Sequence, residues 1–355
     1  MLRKQLTVFI GRFSPFHLGH EEVLLRALES SEVVLLVIGS AKKSRSIKTP
    51  FTAEERKGFI TEWYKTKMRL SNKELGTLDI ALVEDYPYSD SEWISRVQAE
   101  VLNTRQYYEI PEEWPNVLTG AERDASTWYL KAFGSFFQLD LISESKVGFD
   151  YGATQLRDNY FQGSNAWEYK TPQEVISFLD HFKKQPEFQE LRDEYDFVKK
   201  YKQSWAAAPY APIFVTVDTV VIQSGHVLVV KRAAYPGKGL LALPGGFVEQ
   251  NERLQDAAIR ELLEETRIEL SPAQLHGSIV CSKVFDAPDR SSRGRTITHA
   301  FGLRLKDTVA LPRVKPQKGE ATKAFWLPIA EAEANPEEWF EDHNDIRRTL
   351  IGMMK

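Results

Sequence analysis

The sequence predicts an α/β protein with two domains. Its 355 residues exceed what one hydrophobic core usually organises, and a composition of 42% hydrophobic and 27% charged residues is ordinary for packed domains. A strand–loop–helix–strand pattern opens the chain, and strands flank an acidic helix in its last third. Residues 206–212, rich in alanine and proline, form a hinge. We expect domains at 1–165 and 209–355, joined by a helical connector and hinge at 166–208.

Charge and cysteine content exclude several classes of protein. A net charge of −4 gives no bulk support for a nucleic-acid or anionic-membrane surface. Cys281 is the single cysteine, which excludes an intramolecular disulfide framework and is typical of a reducing compartment. No apolar run approaches the roughly 18 residues of a membrane span, and the N-terminus lacks the apolar core of a signal peptide. We expect a soluble cytoplasmic protein without nucleic-acid or membrane partners; a homo-oligomer is compatible with the sequence.

The first apolar run, 6–10, leads into a loop that carries two histidines. Residues 11–20 read Gly-Arg-Phe-Ser-Pro-Phe-His-Leu-Gly-His, and an amphipathic helix then leads to a second apolar run at 32–39. In such a unit the loop lies at the carboxyl end of the strand, beside a helix N-terminus that favours an anion. Imidazoles can donate hydrogen bonds to phosphate oxygens, and glycines let the backbone approach closely. His17 and His20 are therefore candidate phosphate-binding residues.

This loop resembles that of the H-x-G-H nucleotidyltransferase superfamily, and its Gly-Arg-Phe start is similar to archaeal-type nicotinamide mononucleotide adenylyltransferases. The resemblance implies a Rossmann-like parallel sheet. It also implies that the phosphate of nicotinamide mononucleotide attacks the α-phosphorus of MgATP, giving NAD and pyrophosphate. Positioning and charge neutralisation would lower the barrier without a protein nucleophile. The loop residues to which it gives a catalytic or nucleotide-binding role are Gly11, Arg12, Phe13, His17, Gly19 and His20.

Three further segments are similar to parts of that superfamily. In the second motif, Arg45 lies in a loop where it can reach phosphates, ahead of a predicted helix. In the late motif, residues 152–157 read Gly-Ala-Thr-Gln-Leu-Arg, and the resemblance implies that Thr154 and Arg157 bind the outer phosphates of ATP. A glycine replaces the serine of that motif, which removes one hydroxyl. Trp93 lies near the place of a tryptophan that stacks on nicotinamide, although a buried structural tryptophan fits equally well.

The second domain carries acidic residues at fixed spacing. The pattern Gly-x5-Glu-x7-Arg-Glu-Leu-Leu-Glu-Glu starts at Gly246. Helical geometry places Glu261, Glu264 and Glu265 on one face, where like charges repel unless a cation is present. Hard divalent cations, Mg²⁺ in particular, combine such carboxylates with phosphate oxygens of a substrate. We expect this helix to hold a metal ion against a phosphate.

This pattern resembles the Nudix box, G-x5-E-x7-R-E-U-x-E-E-x-G-U, where U is a bulky apolar residue. Arg267 stands in place of the last glycine, which strains the helix exit or changes its shape. The resemblance implies a Nudix α/β/α sandwich in which a metal-activated water splits a nucleoside diphosphate derivative. It makes Glu261 and Glu265 metal ligands, with Glu264 and the Gly246 carbonyl as further candidates.

Two roles around the box are assigned separately. Arg260 is expected to orient a glutamate through a charged hydrogen bond. The general base often lies outside the box in such enzymes, and Glu320 occupies a place where many relatives carry a functional acid. Asp286 and Asp289 compete with Glu320 for this role, and Glu264 is a further catalytic candidate.

The whole chain looks like the bifunctional adenylyltransferase/Nudix proteins, whose hydrolase half converts ADP-ribose to AMP and ribose 5-phosphate. The resemblance implies Mg²⁺ or Mn²⁺ as cofactor and ATP, nicotinamide mononucleotide and ADP-ribose as substrates. Two alternatives stay open. The first domain could use another acceptor, such as a pantetheine or nicotinic acid mononucleotide compound. The second could act on a different nucleoside diphosphate derivative, or serve as an ADP-ribose sensor, although the retained glutamates argue against a sensor.

Overall fold

The computed structural model describes residues 3–122, 129–143, 152–317, 319 and 321–355. The chain divides into two compact units, Met1–Arg192 and Asp193–Lys355. The domain boundaries expected from the sequence stay a prediction. None of the helices that the structure describes combines the length and the apolar character needed to cross a membrane.

A five-stranded parallel sheet forms the centre of the first unit, in the order β3-β2-β1-β4-β5. Its strands are β1 (Arg3–Gly11), β2 (Ser31–Ile38), β3 (Thr77–Leu82), β4 (Asn116–Glu122) and β5 (Gln138–Ser143). The strand order reverses between β1 and β4, and ligands of open α/β sheets bind at the carboxyl ends of strands beside such a reversal. This confirms the predicted Rossmann-like sheet and puts the histidine loop, which follows β1, at that place.

Helices cover the sheet of the first unit, so its central strands are apolar almost without interruption. In β2, for example, residues 33–38 are all buried, and Leu35 packs with Val8 and Leu118 in one core. The described helices of this part of the chain are α1 (Leu18–Ser30), α2 (Ala53–Leu70), α3 (Asp90–Tyr107), α4 (Tyr129–Ala132), α5 (Ala153–Phe161), α6 (Gln173–Phe182) and α7 (Pro186–Ser204), the last of which extends into the second unit.

The second unit has a mixed sheet in the order β10-β11-β6-β7-β12, with β8 paired to β7 and β9 to β6. Only the β6–β11 pairing is parallel among those described. The strands are β6 (Ile213–Gln223), β7 (His226–Arg232), β8 (Leu241–Ala242), β9 (Gly245–Phe247), β10 (Ile279–Phe285), β11 (Arg295–Arg304) and β12 (Ala321–Pro328). The helices are α8 (Leu254–Thr266), α9 (Pro272–Gly277), α10 (Ile329–Ala334) and α11 (His343–Met353).

Adjacent residues of β6 show that helices lie on both faces of this sheet, because successive side chains of a strand point to opposite faces. Val217 is buried in a cluster with Ala258 and Leu262 of α8. The carboxylate of Asp218, the next residue, lies 3.9 Å from Nδ1 of His343 in α11. The predicted α/β/α sandwich is therefore confirmed, with the acidic helix α8 as one of its outer layers.

Candidate functional site

The two histidines of the first unit lie together at the N-terminus of α1. His17 is the N-cap residue, with φ −129° and ψ 171°, and its backbone N–H donates to Nδ1 of His20 at 3.4 Å. The rings stack with centroids 3.7 Å apart. Because Nδ1 of His20 accepts a hydrogen bond, the neutral ring carries its proton on Nε2, which can donate to an anion. His17 is only 1% exposed whereas His20 is partly exposed, so His20 is the more accessible.

Aromatic packing inside the loop holds His20 in place. Phe13 has φ +49°, and its ring lies 5.0 Å from that of His20. The same ring covers Gly11, where a Cβ atom would come within 2.8 Å of Phe13 Cζ, so a larger residue would push the ring away. Gly19 is buried in the first turn of α1. Phe13 and Gly11 thus shape the loop, and their predicted contact with nucleotide stays a prediction.

The late motif lies against the histidine loop. Arg157 in α5 donates from Nη1 to the Ser14 carbonyl at 2.7 Å and from Nη2 to the Thr154 hydroxyl at 3.1 Å. Burial, followed by the positive charge of Arg12, lowers the pKa of Arg157 to about 10. Two guanidiniums close enough to repel each other favour a bound anion between or beside them. The structure therefore brings together Arg157, Thr154 and Arg12, three of the residues expected to act at the phosphates, and the exposed Thr154 lies at the start of the helix.

Arg45 is engaged in an ion pair. Its guanidinium makes a two-pronged contact with the Glu55 carboxylate, at 2.6 and 2.7 Å, and also donates to the Pro50 carbonyl. Burial raises the pKa of Glu55, but the hydrogen bonds from Arg45 and Thr52 outweigh it and leave that pKa below its ordinary value. The capping box between Thr52 and Glu55 is confirmed. Arg45 therefore fixes the start of α2, and its contact with phosphate stays a prediction.

Arg56 is a supporting residue that sequence reasoning did not single out. It is completely buried and donates to the carbonyls of Arg12 (2.7 Å), Gly39 (2.7 Å) and Ser40 (2.9 Å). Burial lowers its pKa to about 10, opposed by the charge of Asp85. Arg56 therefore joins the histidine loop to the end of β2. A signal was present, because position 56 falls on the buried stripe of α2 with Ala53, Phe59, Ile60 and Trp63.

Asp85 and Trp93 are two further residues of the first unit. The Asp85 carboxylate accepts hydrogen bonds from the Ser40 backbone (3.0 Å) and hydroxyl (2.6 Å), which ties the ends of β2 and β3 together. Trp93 in α3 packs against the core, with ring centroids 5.8 Å from Tyr129 and 5.7 Å from Phe133. These contacts give Trp93 a packing role, and its stacking on nicotinamide stays a prediction.

In the second unit, the box glutamates of α8 lie against β9. A Cβ atom on Gly246 would come within 2.5 Å of the Glu261 carboxyl carbon, so the backbone at 246 abuts this carboxylate. The Gly245 backbone N–H donates to the Glu265 carboxylate at 3.0 Å. The need for glycine at 246 follows directly, because any side chain would displace the Glu261 carboxylate.

Arg260 makes the charged hydrogen bonds expected of it. Its Nη1 atom donates hydrogen bonds to the carboxylates of Glu261 (2.8 Å) and Glu264 (2.9 Å). Its Nε and Nη2 atoms donate to the Glu252 carboxylate at 3.0 and 2.7 Å. The bond to Glu252, above all, raises the pKa of Arg260, and the same bond lowers the pKa of Glu252. The arginine therefore holds Glu252, Glu261 and Glu264 in fixed positions relative to one another.

The donor set of this site suits a hard divalent cation. Over the described residues, which leave out Glu320, no three His, Cys, Asp or Glu side chains converge tightly enough to hold a metal ion. Glu261 and Glu264 contact Arg260 in this arrangement, and Glu265 contacts a backbone N–H. Their oxygens, together with the adjoining Gly246 backbone, are nonetheless the ligand type that Mg²⁺ and Mn²⁺ prefer.

Arg267 adopts the backbone conformation that the box glycine would provide. Its φ of 44° and ψ of 39° are left-handed, and its N–H donates to the Leu263 carbonyl at 2.8 Å. The sequence left two outcomes open for the end of this helix, backbone strain or a changed shape. The structure shows backbone strain, and the shape of the helix end is kept.

The candidate base Glu320 lies outside the described residues. The loop that leads to it is tied to the end of α8, since the backbone N–H groups of Lys315 and Gln317 donate to the carbonyls of Thr266 (2.7 Å) and Glu265 (3.2 Å). This attachment brings the loop next to the box, and the choice of general base among Glu264, Glu320, Asp286 and Asp289 stays a prediction.

Comparisons with known proteins agree with both halves. Residues 8–131 match the cytidylyltransferase-like family model and residues 212–350 match the NUDIX domain model. A nicotinamide/nicotinic acid mononucleotide adenylyltransferase of Acinetobacter baylyi is 31% identical over 196 residues, which are 55% of this chain and 95% of that protein. An ADP-ribose pyrophosphatase of Methanocaldococcus jannaschii is 39% identical over 89 residues, which are 25% of this chain and 49% of that protein.

A solved structure matches the chain from end to end. It is a bifunctional NMN adenylyltransferase/ADP ribose pyrophosphatase of Francisella tularensis, complexed with AMP and a Mn ion. The TM-score is 0.87 at 32% identity, and the match covers 99% of each chain. The chain described here therefore belongs to the family of bifunctional NMN adenylyltransferase/ADP-ribose pyrophosphatases.

Proposed function

We propose that the first unit transfers AMP from ATP to nicotinamide mononucleotide, giving NAD and pyrophosphate. We propose that the second unit separately hydrolyses ADP-ribose to AMP and ribose 5-phosphate with a divalent metal ion, Mg²⁺ or Mn²⁺. The observation that carries the proposal is the match to the Francisella tularensis enzyme over 99% of both chains. The cationic loop of the first unit and the acidic helix of the second support it, because both suit a polyphosphate.

In the first reaction, a phosphate oxygen of the mononucleotide attacks the α-phosphorus of ATP, and the bond to the β-phosphate breaks as pyrophosphate leaves. His20 donates its Nε2 proton in a hydrogen bond to the α-phosphate, where negative charge builds up. Arg12 and Arg157 neutralise the departing phosphates. Arg56 keeps the loop that carries His20 and Arg12 in register with β2.

In the second reaction, water attacks one phosphorus of the pyrophosphate group and the bond to the bridging oxygen breaks. When bound, the metal ion acidifies that water and neutralises the phosphate charge. Glu261 and Glu265 would hold the ion, and Arg260 holds Glu261 in position. Glu264 or Glu320 accepts the proton of the water.

The test of the first reaction uses the purified full-length chain with MgATP and a panel of acceptors. We expect nicotinamide mononucleotide to be among the best acceptors, and the assignment is refuted if it is not among them. The Acinetobacter baylyi relative is named for both mononucleotides, so nicotinic acid mononucleotide is the second candidate acceptor. A phosphopantetheine compound is a further acceptor to include in the same assay.

The test of the second reaction uses ADP-ribose with Mg²⁺, with Mn²⁺ and with a chelator. Metal-dependent release of AMP and ribose 5-phosphate is expected, and binding without turnover would favour a sensor. NAD should be a poor substrate, because its hydrolysis would undo the first reaction. Cytoplasmic location and homo-oligomer formation stay predictions.

A further inference from the structure

Arg293 belongs to the loop between β10 and β11, which is anchored firmly to the start of α11. Arg290, three residues earlier, forms a buried ion pair with Asp342 through two contacts of 2.9 and 2.8 Å. The Ser292 backbone N–H donates to the Glu341 carboxylate at 2.9 Å. Anchors immediately before Arg293 limit the directions that its side chain can take, which is what a binding residue requires.

The guanidinium of Arg293 lies over the ring of Phe247, with Cζ 5.2 Å from the ring centroid. Phe247 directly follows Gly246, whose backbone abuts the Glu261 carboxylate. Phe247 in turn packs edge-on against Phe214 at 5.8 Å. The ring therefore supports a cation at the residue that follows Gly246, on the opposite face of β9 from the Glu261 carboxylate.

One polar atom of this side chain is left unsatisfied within the part of the chain that the structure describes. Its Nε atom is buried and has no hydrogen-bond partner among the residues that the structure describes. Leaving a buried charged donor unsatisfied is costly. A guanidinium stacked on a ring keeps its in-plane N–H donors at the edge, where a forked acceptor such as a phosphate can reach them.

A second arginine lies close to Arg293. Burial, followed by the charge of Arg293, lowers the pKa of Arg232, and the negative charges of Glu341, Glu265 and Glu194 oppose this. Arg232 is therefore within electrostatic reach of both Arg293 and a box glutamate. Two cations held close together favour a bound anion between or beside them.

We propose that Arg293 is a substrate-binding residue of the second unit, whose forked N–H donors bind phosphate oxygens of a nucleoside diphosphate derivative. This inference rests on the proposed hydrolase function and assigns to that site a residue outside the Nudix box. The ring of Phe247 packs against one side of the guanidinium and orients it.

The test compares the full-length protein with Arg293→Gln and Arg293→Lys. The control is Arg313→Gln, which removes the charge of an exposed arginine in the same unit. We expect Arg293→Gln to raise the KM for ADP-ribose about tenfold or more, with kcat changed far less, because a charged hydrogen bond to substrate is lost. Lysine keeps the charge without the fork, so Arg293→Lys should recover part of the loss. The control should behave as the wild type.

Calorimetric titration with ADP-ribose, with Ca²⁺ in place of Mg²⁺ to slow turnover, gives a readout independent of activity. Arg293→Gln should weaken the ADP-ribose affinity of the second unit by the same factor as it raises KM. If wild-type protein binds ADP-ribose without hydrolysing it, the proposed function fails while the titration still tests Arg293. If turnover is normal in the wild type and both KM and affinity are unchanged in Arg293→Gln, the inference fails alone. Should Arg293→Gln misfold, wild-type KM and affinity in Arg293→Lys would overturn it.

Discussion

Arg56 of α2, completely buried, donates a hydrogen bond of 2.7 Å to the carbonyl of Arg12 in the histidine loop. The same Nη1 atom donates to the Gly39 carbonyl at the end of β2, and Nη2 donates to Ser40. One side chain thus donates hydrogen bonds to three backbone carbonyls in the loops that follow β1 and β2. The loop's geometry depends on a residue 44 positions away in sequence.

Replacing Arg56 should therefore disturb adenylyl transfer more than hydrolysis. Arg56→Met leaves three buried carbonyls without their donor, and we expect it to lower the free energy of unfolding of the first unit by about 2 to 4 kcal/mol. Urea unfolding measures this loss, and the hydrolase activity of the same sample is the internal control. Arg69→Met, at an exposed position of the same helix, should change neither quantity. Equal effects of the two variants would contradict the role given to Arg56.

His20→Ala should remove adenylyl transfer while leaving ADP-ribose hydrolysis intact. The loss removes the Nε2 donor at the α-phosphate, and we expect kcat to fall about 10²-fold or more. Steady-state assays of both activities on one preparation measure the effect. His181→Ala, at an exposed histidine, is the matched control. Loss of both activities in His20→Ala would indicate misfolding or coupling between the sites.

Glu265→Gln should have the opposite effect. The amide retains the size of the side chain and an oxygen that can accept the Gly245 N–H, but a neutral amide is a poorer metal ligand than a carboxylate. We expect hydrolysis to fall about 10²-fold or more at standard metal concentration, with partial recovery as metal is raised. Glu269→Gln changes an exposed glutamate just beyond the helix and should be silent. A Glu265→Gln variant with wild-type metal dependence would remove Glu265 from the ligand set.

Arg267→Gly should stabilise the second unit. The left-handed conformation at φ 44° costs a residue with a Cβ atom about 1 to 2 kcal/mol, and glycine removes this cost. The larger conformational entropy of glycine in the unfolded state offsets part of that gain. A net gain of about 0.5 to 1 kcal/mol in the free energy of unfolding is expected. Arg267→Ala keeps the Cβ atom and is the control. If alanine stabilises as much as glycine, the effect arises from the arginine side chain and not from backbone strain.

The sequence alone determined the features that depend on local spacing. The i, i+3, i+4 placement of Glu261, Glu264 and Glu265 follows from the 3.6-residue period of a helix, and the capping box of Thr52 and Glu55 follows from a four-residue pattern. The apolar runs likewise indicated parallel strands, because buried strands have no solvent face. Resemblance to known motifs then supplied the chemistry that these spacings allow.

Only the tertiary structure decided which side chains are paired with other protein groups and which can bind a ligand. Arg45 could equally have reached a phosphate, but folding brings it to Glu55, and Arg293 carried no sequence signal until folding placed it over Phe247 beside Gly246. Contacts such as that of Arg56 with Arg12 join residues distant in sequence. Charge and hydrogen-bond partnership depend on distances of a few ångströms, which spacing along the chain does not specify.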